Sequence, residues 1–138
     1  MSALALILKE RGYSVSGSDR NNSARLQNLR RRKIEIFPTQ SNKNIKALQK
    51  QAKNKCLVVI SSAIKQENKE LEAAKQAGIE IWHRSDLLGA LMEQEQSIVI
   101  AGSHGKTTTS TIATTLLALT GKDPTAVIGG EVPFYRSN

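Results

Sequence analysis

The sequence of 138 residues is poor in cysteine, proline and aromatic residues. Its single cysteine, Cys56, excludes an internal disulfide framework and any zinc site built from several cysteines. No apolar run reaches the roughly 18–20 residues that a membrane-spanning helix requires, and the apolar start at residues 3–8 is too short for a secretory signal. These absences predict a cytoplasmic protein that works in a reducing environment and does not enter a membrane.

The net charge is +8, and all of the excess positive charge lies in the first 55 residues, because residues 56–138 are net negative. The densest cluster is Arg30-Arg31-Arg32-Lys33. Such a cluster is typical of a solvated helix end, and it also suits a phosphate-bearing small molecule. No aromatic residue is interleaved with the cluster, so we predict no nucleic-acid partner.

An apolar helix, a glycine and a short β-rich run follow one another three times along the chain. The glycines are Gly12, Gly78 and Gly121, and glycine is favoured at the left-handed position that ends a helix. Predicted helices span residues 1–11, 67–77, 85–92 and 106–120, and predicted strands span residues 13–16, 56–60, 79–82, 98–100 and 126–128. The continuous apolar runs at 56–60 and 98–100 are typical of buried parallel strands. The pattern predicts an α/β fold with a Rossmann-like parallel sheet, followed by the start of a P-loop ATPase domain.

The first helix is predicted to be buried, because residues 3–8 are apolar on all sides. In a doubly wound fold such a helix follows a central strand and a glycine-rich turn, and neither precedes it in this sequence. We therefore expect a fragment that lacks its first strand, with a boundary in the polar stretch at 93–97. Residues 1–95 would form a truncated Rossmann-like domain, and residues 96–138 the beginning of an ATP-binding domain.

The strongest chemical signal is the run Gly102-Ser103-His104-Gly105-Lys106-Thr107-Thr108, between a predicted strand and a predicted helix. Backbone N–H groups in such a turn, together with the positive end of the helix dipole, bind phosphate groups. Lys106 would reach the β- and γ-phosphates of a nucleotide, and the Thr107 hydroxyl would coordinate Mg²⁺. His104 either contacts the transferring phosphoryl group or is an exposed loop side chain. The helix has a predicted core face at Ile112, Leu116 and Leu119.

This loop resembles the shortened ATP loop of the Mur ligases, which folylpolyglutamate synthetases share. Three further segments are similar to the Mur family: Met1-Ser2-Ala3-Leu4-Ala5, Ser61-Ser62-Ala63-Ile64 and His83-Arg84-Ser85-Asp86-Leu87-Leu88. The resemblance covers essentially the whole chain. It implies an ATP- and Mg²⁺-dependent ligase of peptidoglycan synthesis that forms an amide through an acyl phosphate, with UDP-N-acetylmuramate and L-alanine as substrates.

The resemblance also implies roles for individual residues. Lys106 and His104 would be catalytic, and Thr107 would bind the metal ion. ATP would contact Gly102, Ser103, His104, Gly105, Lys106, Thr107 and Thr108. The UDP-sugar would contact Ser2, Asp19, Ser61, Ser62, Gly129 and Gly130, although Asp19 is equally consistent with an acid in a surface turn.

Other functions remain open from the sequence. They are a nucleotide-binding module without catalysis, a basic nucleic-acid-binding P-loop protein, and another ligase of the Mur and folylpolyglutamate synthetase superfamily. The Rossmann-type half over residues 1–92 disfavours a folylpolyglutamate synthetase. We expect the isolated polypeptide to show no ligase turnover.

Overall fold

Helices and short parallel strands alternate along the chain in the computed structural model, which describes residues 1–21, 23–52 and 56–129. Within these residues the helices are Ser2–Glu10 (α1), Ala24–Arg31 (α2), Asn42–Ala52 (α3), Lys69–Gln76 (α4), Arg84–Met92 (α5) and Lys106–Leu119 (α6). The strands are Ser16–Ser18 (β1), Glu35–Phe37 (β2), Leu57–Ile60 (β3) and Glu80–His83 (β4).

The strands form two parallel pairs. β1 pairs with β2, with Gly17 opposite Ile36, and β3 pairs with β4, with Val59 opposite Trp82. Parallel neighbours need a crossover connection, and α2 and α4 provide these two crossovers. The predicted α/β class with parallel strands is confirmed.

The first helix is buried, as its sequence predicts, and Leu4 is only 2% exposed. α1 packs against α2, which in turn packs against β2. The apolar core between them consists of Leu6, Leu26, Leu29 and Ile34. α3 packs against α4, and the side chains of Ile45, Leu71 and Ala74 on these two helices are buried. α5 packs against β3 and β4. Helices therefore flank both strand pairs, as in a doubly wound fold.

Three of the helices end at the predicted glycines. α1, α4 and α6 are followed by residues with left-handed φ values of 86°, 64° and 79° at Gly12, Gly78 and Gly121. After α4, the Gly78 N–H donates to Lys75 O and the Ile79 N–H donates to Ala74 O, the bond pattern of a Schellman motif. α2 ends with the same pattern around Lys33, whose φ is 59° although it is not a glycine.

Two predicted strands are wrong, and a third is displaced. Residues 98–100 and 126–128 form no strand, and Ile98 and Val99 are 72% and 71% exposed, although Ile128 is buried. An extended segment becomes a strand only when a neighbour satisfies its backbone groups, and no described segment pairs with either of these. β1 begins at Ser16 instead of residue 13, and Tyr13 is exposed.

The predicted core face of α6 is also wrong. Ile112, Leu116 and Leu119 are 55%, 58% and 72% exposed, and the buried residue of this helix is Thr114. The apolar spacing predicts a face that can be buried, but burial also needs a packing partner. Among the described residues, no other helix or strand packs extensively against α6.

Candidate functional site

The glycine-containing turn leads directly into α6, as its sequence predicts. Gly105 is the N-cap of this helix of 14 residues and has a φ of 74°, which glycine adopts without steric cost. Because glycine has no side chain, it leaves the first N–H groups of α6 without a side-chain cap. Residues 101–109 are all exposed, so these N–H groups are accessible to a ligand.

Lys106 folds back over this turn. Its ammonium group donates hydrogen bonds to the carbonyl oxygens of Gly102 and Ser103, the second at 3.2 Å. The positive charge therefore lies beside the turn and the uncapped N-terminus of α6, where the helix dipole also favours a negative charge. This arrangement of an ammonium group and free N–H groups is suited to phosphate oxygens.

The threonine hydroxyls of α6 fall into two groups. Thr114 and Thr115 donate to the carbonyl oxygens of Ser110 and Thr111, each at 2.8 Å, so the helix itself satisfies them. Thr107 lies in the exposed first turn, next to Lys106. Thr108 and Thr109 lie in the same exposed turn, so the hydroxyls of all three threonines are accessible to solvent.

A separate cavity of about 2230 Å³ lies between the two strand pairs. We call it the cleft: its walls include β1, β3 and the α1 side chains Leu4, Ala5 and Leu8. Ser2, Asp19 and Ser61, which sequence reasoning proposed as substrate contacts, all line the cleft. Asp19 and Ser61 directly follow β1 and β3, and Ser2 is the first residue of α1. The carboxyl ends of parallel strands form the edge where ligands bind in open α/β sheets.

Asp19 follows β1 and is only partly exposed. Its Oδ1 accepts a hydrogen bond of 2.9 Å from the Asn21 N–H, which is an Asx turn. This contact shows that Asp19 stabilises the turn after β1.

Ser62 is joined to His83, a residue that sequence reasoning did not propose for the site. His83 is the N-cap of α5: its Nδ1 accepts from the Ser85 N–H at 3.3 Å, and its own N–H donates to Asp86 Oδ2 at 2.8 Å. The His83 Nε2 atom lies 3.0 Å from Ser62 Oγ, so a hydrogen bond joins the ends of β3 and β4.

A polar network connects the two halves of the structure at the same edge. Glu70, in the first turn of α4, accepts hydrogen bonds from Ser18 Oγ at the end of β1 and from Asn44 Nδ2 in α3. Asn68 caps α4 and donates to Gln40 Oε1 at 2.7 Å. Sequence reasoning missed this network, although an asparagine directly before a helical pattern is a signal for the cap.

Two groups that line the cleft have shifted pKa values. Burial lowers the pKa of the Met1 amino group, and the nearby guanidinium groups of Arg84 and Arg25 lower it further. Burial raises the pKa of the Cys56 thiol. Both shifts disfavour the charged form, as expected for groups partly removed from water.

The structure thus brings Ser2, Asp19 and Ser61 together at the cleft and places the turn at 102–108 elsewhere. Ser62 and Gly129 do not line the cleft, and Gly129 is exposed. Gly130 lies outside the described residues. Within residues 1–21, 23–52 and 56–129, no three His, Cys, Asp or Glu side chains come together as a metal site. No helix among the described residues combines the length and the apolar character that a membrane crossing needs.

Comparisons with known proteins find relatives over the whole length of the chain. The chain is 58% identical over 138 residues to the UDP-N-acetylmuramate–L-alanine ligase of Synechococcus sp. (strain CC9311), and 56% identical to that of Prochlorococcus marinus (strain MIT 9303). These alignments cover all of this chain but only 29% and 28% of the two relatives, so the chain spans under a third of their length.

Two crystal structures have a similar fold. The UDP-N-acetylmuramate–alanine ligase of Thermotoga maritima matches 94% of this chain and 29% of its own, with a TM-score of 0.78 and 30% identity. The UDP-N-acetylmuramate:L-alanyl-γ-D-glutamyl-meso-diaminopimelate ligase of Neisseria meningitides matches 94% of this chain and 39% of its own, with a TM-score of 0.81 and 27% identity. The family described as "Mur ligase family, catalytic domain" matches residues 1–96. These matches confirm the resemblance seen in the sequence: the chain belongs to the Mur ligase family.

Proposed function

We propose that this chain provides the phosphate-binding turn and part of the UDP-sugar-binding domain of an ATP-dependent ligase that joins L-alanine to UDP-N-acetylmuramate. The observation that carries the proposal is the exposed turn at the start of α6, with Gly105 as its N-cap and the Lys106 ammonium beside the uncapped N–H groups. The relatives with 51–58% identity, all named as this ligase, support the choice of substrates.

The residues of the turn fit ATP and Mg²⁺. Gly102, Ser103, Gly105 and Thr108 would contribute N–H groups or hydroxyls to the phosphates, Lys106 would neutralise their charge, and Thr107 would hold the cation. His104 is exposed in the same turn and would contact the transferring phosphoryl group. Bound MgATP would supply the phosphoryl group that activates a carboxylate.

The reaction we propose has two steps. The γ-phosphoryl group of ATP passes to the lactyl carboxylate of UDP-N-acetylmuramate, which gives an acyl phosphate and ADP. The amine of L-alanine then attacks the acyl carbon and displaces inorganic phosphate, and an amide forms. The turn contributes by positioning the phosphates and by neutralising their charge. The product belongs to peptidoglycan synthesis, on which cell shape and division depend, and the use of ATP suits a cytoplasmic reaction.

The UDP-sugar would bind at the carboxyl edge of the strands. Ser2, Asp19 and Ser61 line the cleft there, and Ser62 is held by its hydrogen bond with His83. Gly129 and Gly130 would approach the sugar from the second domain.

We place the boundary between the two domains at residues 95 and 96. Arg11, just after α1, donates to Gln94 Oε1 at 2.9 Å and to Glu95 Oε1 at 3.2 Å, so the segment up to residue 95 is tied to the first domain. The first domain would then be residues 1–95, and residues 96–138 would begin the ATP-binding domain.

The test is a calorimetric titration of the chain with MgATP. The Lys106→Ala variant should bind about 10- to 100-fold more weakly, because it loses a charge-assisted hydrogen bond to the phosphates. Lys122→Ala is a matched control, since Lys122 is also exposed but follows the opposite end of α6. It should bind MgATP as the parent chain does.

Equal affinity of the parent chain and Lys106→Ala, or an equal loss in Lys122→Ala, would show that the turn is not the phosphate site. DNA binding with a steep salt dependence would favour the nucleic-acid alternative. We expect MgATP binding without turnover of UDP-N-acetylmuramate and L-alanine, because the chain spans only 29% of the length of the Synechococcus relative.

A further inference from the structure

Glu70 connects the two strand pairs at the carboxyl edge of the cleft. Its Oε2 accepts a hydrogen bond from the Ser18 hydroxyl at the end of β1, and its Oε1 accepts from Asn44 Nδ2 in α3 at 2.9 Å. Glu70 itself belongs to α4, which lies between β3 and β4 in the chain. A single side chain therefore joins the first strand pair, α3 and the second strand pair.

The Glu70 carboxylate is held in place by the amide of Asn44. Asn44 is only 6% exposed, and its Nδ2 donates one hydrogen to Glu70 Oε1 and the other to the carbonyl oxygen of Thr39 at 2.6 Å. Because both partners are acceptors, only one orientation of the Asn44 amide satisfies them. The Glu70 N–H also donates to Asn68 Oδ1 at 3.0 Å. Glu70 is thus fixed through its backbone and through its side chain.

On the other side of this contact, Ser18 leads directly to Asp19 at the cleft. The Asp19 N–H donates to the carbonyl oxygen of Phe37 in β2 at 3.1 Å, and its Oδ1 accepts from the Asn21 N–H. These two bonds hold Asp19 within the first strand pair. The bond from Ser18 to Glu70 attaches the same segment to the second strand pair.

The separation of β1 and β3 depends on contacts of this kind. Among the described residues, β1 pairs with β2 and β3 pairs with β4, so no backbone hydrogen bonds join β1 to β3. The packing of α3 on α4 brings the two strand pairs together, and the Glu70 bonds attach the end of β1 to α4. Hydrogen bonds to an ionised group are stronger than those between neutral groups, so a carboxylate is suited to this attachment.

We propose that Glu70 is a positioning residue, whose carboxylate sets the distance between the carboxyl end of β1 and the segment that follows β3. It thereby sets the width of the cleft at the edge where Asp19 and Ser61 lie. Glu70 acts through Ser18 and needs no contact with a ligand in this role. The consequence for the UDP-sugar rests on the proposed function: a cleft of fixed width holds the groups on its two sides ready for one ligand, and a loose cleft lowers the affinity.

The test is the distance across the cleft, measured by pulsed electron paramagnetic resonance between two nitroxide labels. The labels are attached to Arg20→Cys and Lys65→Cys in a Cys56→Ser background. Arg20 directly follows Asp19, Lys65 lies between β3 and α4, and both are exposed residues that line the cleft.

Loss of the attachment should loosen the end of β1. Glu70→Ala and Ser18→Ala should each broaden the distribution of distances between the labels, and hydrogen exchange of the Asp19 amide should become about tenfold faster. Glu70→Ala also leaves a buried N–H of Asn44 without an acceptor, so it should lower the stability of the fold. Ser18→Ala leaves Asn44 satisfied, and it therefore separates the loss of positioning from the loss of stability.

The conservative variant Glu70→Gln should restore the distances and the exchange of the parent chain. Its carbonyl oxygen can still accept from Asn44, and its amide N–H can donate to the Ser18 hydroxyl, because a hydroxyl also accepts hydrogen bonds. Two matched controls alter neighbouring side chains outside this network. Glu72→Ala changes an exposed carboxylate of the same helix, and Ser16→Ala removes a hydroxyl from the same strand. Both controls should keep the parent distance distribution.

The proposal would be overturned if Ser18→Ala and Glu70→Ala kept the parent distances while the stability fell, because Glu70 would then only stabilise the fold. Equal broadening in Glu72→Ala or Ser16→Ala would also overturn it. Broadening in Glu70→Gln as large as in Glu70→Ala would show that the two hydrogen bonds do not set the width of the cleft.

A calorimetric titration with UDP-N-acetylmuramate separates this inference from the proposed function. The affinity should fall about tenfold in Ser18→Ala and should be retained in Glu70→Gln. A parent chain that does not bind the UDP-sugar would refute the proposed role of the cleft, whereas the label distances and the exchange of Asp19 would still decide the role of Glu70. An unchanged affinity beside a broadened distance would reject the consequence for the ligand and support the positioning itself.

Discussion

The left-handed residues that end the helices give a prediction whose magnitude follows from the structure. A Cβ atom added to Gly78 would meet no heavy atom within 4 Å, so Gly78→Ala creates no clash and its cost comes from the backbone alone, at a φ of 64°. That cost is roughly 1–2 kcal/mol, partly offset by the lower entropy of unfolded alanine. We expect Gly78→Ala to lower the free energy of unfolding by about 1 kcal/mol.

Lys33, at a φ of 59° in the same motif, allows the reverse substitution. Lys33→Gly should raise the free energy of unfolding by about 0.5–1 kcal/mol.

Urea unfolding followed by circular dichroism measures both changes, and the melting temperature should move by about 3–5 °C per kcal/mol for a chain of this size. Lys33→Ala is the control for charge, because it removes the ammonium from the cluster of residues 30–33 but keeps the Cβ atom and the strained φ. It should not stabilise the protein as Lys33→Gly does. A neutral or destabilising Lys33→Gly, or a neutral Gly78→Ala, would refute the reasoning.

Two further predictions concern the starts of helices. Lys69→Pro should raise the free energy of unfolding by about 0.4–1 kcal/mol in the same urea assay. Lys69 is the first residue of α4, and Asn68 already has the extended φ of −70° and ψ of 120° that proline requires of the residue before it. Equal stability of Lys69→Pro and Lys69→Ala would contradict this prediction. The lowered pKa of the Met1 amino group means that the folded chain binds fewer protons than the unfolded chain as pH approaches the usual value of 8.0, so stability should rise with pH through that window. Acetylation of Met1 should remove this rise in stability and stabilise the chain most at the acidic end of the window. The midpoints of urea unfolding at two pH values measure both changes. An unchanged pH dependence after acetylation would mean that other groups cause the rise.

The local pattern of the sequence predicted the elements at both ends of the first 95 residues, but it predicted none of α2, β2 and α3 in between. The glycines that end α1 and α4, the buried first helix and the strand β3 all follow from interactions within one element or one turn. The same reasoning failed at residues 98–100, where the apolar run predicts a strand but Ile98 and Val99 are exposed. An apolar run shows that a segment gains by burial, whereas a strand also needs neighbours, and these depend on residues distant in the chain.

The candidate site likewise has one feature that is set by a continuous segment and others that depend on residues distant in the chain. The glycine-containing turn is a continuous run of residues, so its position at the start of α6 could be predicted from the motif alone. The bond between Ser62 and His83 joins residues 21 positions apart, and the bond between Ser18 and Glu70 joins residues 52 positions apart. Neither pair has a sequence signature, because each forms only when the carboxyl ends of different strands come to the same edge.

The two places that bind ligands in our proposal differ in how firmly the structure supports them. The carboxyl edge rests on packed helices and on the Ser18–Glu70 contact, whereas α6 has 14 residues and its apolar side chains Ile112, Leu116 and Leu119 face solvent. A helix of this length is marginal in water without tertiary packing, so α6 is stabilised mainly by its own hydrogen bonds.

A phosphate at the N-terminus of α6 satisfies free N–H groups and interacts favourably with the helix dipole, and therefore stabilises the ordered helix. If the turn binds MgATP as we propose, the affinity of the chain would be the intrinsic affinity of the turn multiplied by the fraction of molecules in which α6 is formed. Any packing partner that covers the exposed apolar face of α6 would raise that fraction, and would thereby increase nucleotide affinity without contacting the nucleotide.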